Sequence, residues 1–163
     1  MMNASMLTIT TPSDREIAMT RVFAAPARLV YDAHTKPELL KRWLGVFGGW
    51  SLSTCEIDLR VGGKYRWVWS KASGTEMRMG GTYQELVTNA RIVATEAFDN
   101  PWYEGQCLVT TEFVETDGKT TLTATMRYDS KKIRDGVLKS PMETGIVASY
   151  DKLAALLAES TGA

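Results

Sequence analysis

SPMETGIVASYDKLAALLAE, residues 140–159, is the stretch on which the fold turns. It opens with an N-cap serine, a first-turn proline and a glutamate three residues after the serine, a pattern that starts a helix by satisfying orphan backbone amides. Met142, Ile146, Ser149, Tyr150, Leu153, Leu156 and Leu157 then recur at helical spacing along one stripe. At 1.5 Å per residue such a helix spans about 28 Å, enough to cross several strands. An apolar stripe of that length requires a broad apolar surface to cover.

That surface lies upstream. Six strand-like runs, Trp50–Leu59, Lys64–Ser70, Met79–Thr88, Arg91–Asp99, Gln106–Thr116 and Lys119–Tyr128, are separated by Gly62-Gly63, Ser73-Gly74, Asn89, Asn100-Pro101 and Asp117-Gly118. Short connections of this kind make neighbouring strands antiparallel. In the last run Leu122, Ala124 and Met126 share one face and Thr121, Thr123 and Thr125 the other, so one side of the sheet is meant to be covered. Lys131–Lys139 reads as a short helix capped by Ser130, although Gly136 weakens it.

Further upstream, Ile17, Met19 and Phe23 alternate with polar or small residues within Arg15–Ala24, which predicts a first strand whose apolar face Arg21 interrupts. Pro26 suits the first turn of a helix with Ala27, Val30, Tyr31 and His34 on one face. Thr35 and Glu38 form a capping box for a second short helix, Glu38–Leu44. Residues 1–13 read as a flexible N-terminal tail and residues 14–160 as one domain.

Composition narrows the function. The 163 residues are 44% hydrophobic, and 19 basic residues balance 19 acidic ones, which excludes the electrostatic footprint of a nucleic-acid or anionic-membrane binder. No window approaches eighteen consecutive apolar residues, and MMNASMLTIT lacks a cationic region followed by an apolar run. A cytoplasmic protein without membrane insertion is therefore expected. One histidine, His34, and two distant cysteines, Cys55 and Cys107, form neither a zinc site nor a Cys-His dyad. The glycines spell no dinucleotide or phosphate-binding fingerprint, and no Gly-x-Ser-x-Gly elbow occurs. Neither a metal nor an organic cofactor is expected.

REIAMTRVFAAPARLVYDAHTKPELLKRWLG, residues 15–45, resembles the start of the START-like superfamily of polyketide cyclases and lipid-transport proteins, also called SRPBCC. CEIDLRVGGKYRW (55–67), GGTYQELV (80–87) and YDSKKIRDGVLKSPMETGIVASYDKLAALLA (128–158) are similar to its bacterial branch named after the activator of the ninety-kilodalton heat-shock chaperone's ATPase. The likeness runs from about Arg15 to Ala158. It implies an α+β helix-grip fold, a curved antiparallel sheet of about seven strands wrapped around a long C-terminal helix, with two short helices after the first strand. It also implies a hydrophobic cavity between sheet and helix. Catalytic residues are not shared across the superfamily, so the resemblance transfers none.

Candidate ligand contacts follow from residue type and position. Five tryptophans and eight methionines suit an adaptable apolar pocket. Aromatic residues at regular spacing serve an ordinary core equally well. Trp43, in the second helix, and Trp102, beside Asn100-Pro101, lie near element ends, where central packing explains a tryptophan less readily. Trp67 and Trp69 share one strand face, while Met142, Ile146 and Tyr150 would line the helical side of a cavity. Polar residues inside strands are Glu56, Asp58, Arg66, Arg78, Tyr83, Glu85, Glu96 and Glu112. A wet outer face is the first explanation for each. Arg66, Tyr83 and Glu85, on adjacent strands, form the trio expected to make one hydrogen-bonded group if any does.

Three functions are consistent with this reading. The first is binding of a hydrophobic or aromatic small molecule, lipid or polyketide-like, between sheet and helix. The second is an enzyme such as a polyketide cyclase or dehydratase that uses polar groups in the cavity. The third, which rests on the family name, is a cochaperone-like ATPase activator. An exposed aromatic loop around Trp102 would serve a homodimer.

Overall fold

The computed structural model describes residues 6–101, 103 and 105–161. Along the chain run β1 (Thr8–Thr10), β2 (Glu16–Phe23), α1 (Ala27–Thr35), α2 (Pro37–Leu40), β3 (Ser51–Ile57), β4 (Lys64–Ser70), β5 (Glu76–Val87), β6 (Arg91–Phe98), β7 (Cys107–Thr116), β8 (Lys119–Arg127), α3 (Lys131–Leu138) and α4 (Met142–Thr161). The strands form one antiparallel sheet in the order β1-β2-β8-β7-β6-β5-β4-β3. Each strand from β3 to β8 pairs with its sequence neighbour, as short turns dictate, and β2 closes onto β8.

The sheet has eight strands rather than about seven. The extra strand lies in the segment read as a tail: Thr8, Ile9 and Thr10 pair with Thr20, Met19 and Ala18. Three residues without visible periodicity carry no sequence signal, and they are held by the open edge of β2. Two register shifts, at Leu52/Thr54 and at Tyr83/Glu85, break the ladders where the sheet bends. Gly81 belongs to the same bend, where a Cβ would lie 1.8 Å from the Thr95 carbonyl oxygen.

Two expected caps take other forms. Thr35 does not cap α2: Lys36 is the N-cap residue, Pro37 opens the helix, and the Thr35 hydroxyl donates back to the Tyr31 carbonyl at 3.0 Å. The helix is also shorter than expected, and the chain continues in turns that carry Trp43 into the core. The Ser140 hydroxyl donates to the Val137 carbonyl at 2.5 Å, closing the end of α3 rather than accepting from an amide of α4. Ser130 caps α3 as expected, its hydroxyl accepting from the Ile133 amide.

Helix α4 lies across the concave face. Its second half is packed tightly, with Leu153, Leu156 and Leu157 buried in the main core beside Phe23, Val30 and Leu122. Phe23 meets the Tyr150 ring edge-on at 5.6 Å. Arg21, on the same inward face of β2, donates to Asp151 at 2.8 Å and stacks over Phe23, and its Nε is buried without an acceptor. A guanidinium thus pins the helix where the apolar alternation breaks. Towards the start of α4, Met142 and Ile146 are only half-buried. No helix among the described residues is long and apolar enough to cross a membrane.

Candidate functional site

Beneath the first half of α4 the packing stops short. A cavity of about 330 Å³ remains between that half-helix and the concave face of the sheet. Met142, Ile146 and Tyr150, four residues apart, form its helical wall. Met19, Val109, Ala124 and Met126 form the centre of the sheet wall. Small or flexible side chains at these places leave space that leucine and phenylalanine fill elsewhere.

Three tryptophans line the cavity. The Trp43 indole donates to the Ala33 carbonyl and the Trp69 indole to the Leu44 carbonyl, each at 2.9 Å, which fixes both rings. The second bond depends on Gly45, where φ is +67° and a Cβ would lie 2.4 Å from Trp69 Nε1. Trp67 packs edge-on against Trp69 at 6.1 Å. Its Nε1 is buried and approaches the Cys55 thiol without a well-formed hydrogen bond. Burial pushes that thiol up to about 11, so it stays protonated and unreactive at neutral pH.

Besides its tyrosines, an imidazole and a carboxyl interrupt the apolar lining. His34 sits between Trp43 and Phe113, with ring centroids 4.9 and 5.2 Å away. Its Nδ1 lies 2.7 Å from the Val30 carbonyl oxygen and must donate to it. Burial lowers the imidazole to about 4, so the ring is neutral and Nε2 is an acceptor. Glu96 stands on β6 opposite Cys107 of β7. No described side chain hydrogen-bonds its carboxyl, and desolvation pushes it up to about 7. Tyr65, Tyr103, Tyr128 and Cys107 all feel its charge, and burial drives each of them well above its ordinary value. The cavity lining includes neither lysine nor arginine among the described residues.

Of the residues expected at a site, Trp43, Trp67, Trp69, Met142, Ile146 and Tyr150 are brought together around this cavity. The polar trio is not. Arg66 faces the outer side, where it forms a double ion pair with Asp99. Tyr83 is buried in the core with its ring 5.4 Å from Tyr65. Glu85 is exposed and pairs with Arg91 at 3.2 Å. The bulge between Tyr83 and Glu85 sends those two side chains to different faces, and Arg66 is of opposite parity to Tyr65, Trp67 and Trp69 on β4. Trp102 lies outside the described residues.

Sequence reasoning underrated Glu96 and His34. The signal for Glu96 was present, since Ile92, Ala94, Glu96 and Phe98 share one parity on β6 and the other three are apolar. A carboxylate within an apolar parity faces the core unless a bulge intervenes. No group of three or more His, Cys, Asp or Glu side chains among the described residues is arranged to hold a metal ion.

Known structures share this architecture. A crystal structure of a protein from Rhodobacter sphaeroides is 29% identical, with a TM-score of 0.88 over 94% of this chain and 98% of that one. One from Chromobacterium violaceum is 30% identical, with a TM-score of 0.73 over 89% and 98%. The fold is also that of a protein from Nitrosomonas europaea, 24% identical, with a TM-score of 0.80 over 94% and 100%. No functionally curated protein matches the sequence. Residues 24–158 match the family described as activator of Hsp90 ATPase homolog 1-like proteins, and the chain belongs to that family.

Proposed function

We propose that the protein binds a compact hydrophobic, ring-bearing molecule in the cavity beneath α4. The observation that carries this reading is an apolar space of about 330 Å³ walled by Trp43, Trp67 and Trp69 and by Met142, Ile146 and Tyr150. An empty apolar volume leaves its lining short of dispersion contacts, which a guest of matching shape supplies. The volume stands near the lower end of the range for small-molecule pockets, which favours one or two rings over a long acyl lipid. Indoles with fixed donors offer flat faces, and the methionines adapt to an irregular outline.

Thermal unfolding with a panel of neutral aromatic compounds tests the reading, with tryptophan emission as a second readout. A bound compound at 100 times its Kd adds about 2.7 kcal/mol to the folded state. Val109→Phe, which fills the cavity from the sheet side, should keep the fold and abolish that stabilisation. A panel that shifts neither melting nor emission would defeat the proposal.

A further inference from the structure

We infer that the cavity selects an aromatic amine bound as its cation, with Glu96 as the anchoring group, and that it rejects aromatic carboxylates. The inference rests on the cavity being the ligand site and adds the charge of the guest.

Glu96 is a carboxyl on the inner face of the sheet without a hydrogen-bond donor among the described side chains. Two of the phenols that feel its charge are engaged elsewhere: Tyr65 donates to the Thr95 carbonyl and Tyr128 to the Met126 sulfur. Since no lysine or arginine lines the cavity, a carboxylate there lacks a counter-charge. An anionic guest would place two negative charges in one low-dielectric space. A neutral guest leaves the first uncompensated. An ammonium pairs with it, and the indoles and phenols of the wall present ring faces that attract a cation.

Titration supplies a signature. Among the groups facing Glu96, burial holds the Tyr65, Tyr103 and Tyr128 phenols and the Cys107 thiol protonated through neutral pH. Tyr150, on the helical wall, is pushed up to about 12, and His34 is lowered to about 4. Glu96, at about 7, is thus the described lining group that changes charge between pH 5 and 8.

The experiment compares three probes that share one ring system: 2-naphthylmethylamine, 2-naphthalenemethanol and 2-naphthoate, titrated by calorimetry into the full-length protein. At pH 8 the amine should bind at least about tenfold more tightly than the alcohol, with naphthoate weakest. Its Kd should rise about tenfold per pH unit below 7 while that of the alcohol stays constant. Glu96→Gln should bring the amine's affinity down to that of the alcohol and remove the pH dependence. Equal affinities for amine and alcohol, a preference for naphthoate, or a preference for the amine that survives Glu96→Gln would overturn the inference and leave the cavity reading standing. Failure of all three probes to bind would overturn both.

Discussion

The two halves of α4 use the same kind of sequence for different ends. From Tyr150 onward the helix is set into the core, with Leu153 fully buried and Leu156 and Leu157 nearly so. Before Tyr150 the stripe continues through Ile146 and Met142, yet the sheet beneath answers with alanine, valine and methionine, and a cavity opens. Close packing resides at one end and open space at the other. An apolar periodicity therefore locates a helix face, while the residues opposite it decide whether that face is filled.

Truncating each half should expose the contrast most strongly. Leu153→Ala should cost about 2–5 kcal/mol in urea unfolding, because a fully buried leucine leaves a void in close packing. Ile146→Ala, at a half-buried position beside existing space, should cost about 1 kcal/mol or less. Equal losses would erase the distinction.

Next in size is an opposition between the carboxyl and the imidazole of the cavity. Glu96 has a folded value of about 7 against an ordinary 4.5, so its contribution is present below 4.5 and is lost as pH rises to 7. His34 has a folded value of about 4 against 6.5, so its contribution is present above 6.5 and is lost as pH falls to 4. Each amounts to about 3 kcal/mol, and between pH 4.5 and 6.5 they largely cancel. Glu96→Gln should uncover the loss on acidification, and His34→Gln the loss on alkalinisation. Urea midpoints at pH 5 and 7.5 read both, and parallel profiles for the two variants would refute the assignment.

The smallest expected effect concerns the pin at the boundary between the halves. Asp151→Ala leaves the buried Arg21 guanidinium without its carboxylate, but Asp151 is itself 60% exposed. The loss should be about 1 kcal/mol, and 1 M salt should reduce the wild-type advantage. A loss as large as that of Leu153→Ala would mean that the ion pair, rather than the leucines, holds the helix.

Much of this was legible from the chain. Period-two runs punctuated by Gly-Gly, Ser-Gly and Asp-Gly gave β3 to β8 nearly to their ends, because turn chemistry and alternation are local. Strand β1 was not legible, since three residues take their structure from an edge that lies elsewhere. Trp67, Trp69, Met142, Ile146 and Tyr150 gather around one cavity because helix and strand parity survive folding. Tyr83 and Glu85 are parted by a bulge, which no periodicity announces, and Glu96 was passed over because a carboxylate in a sheet is usually wet.

The turn after Leu44 is fastened twice over: Trp69 donates to Leu44, and the Gly45 amide donates to the Ser149 hydroxyl of α4. Phe47 then lies so close to Gly145 that a methyl there would touch its ring at 2.9 Å. Turn and helix therefore separate only when several small contacts break together. Turn and helix are thereby coupled, so amide exchange should open Gly45 and the start of α4 as one unit rather than separately.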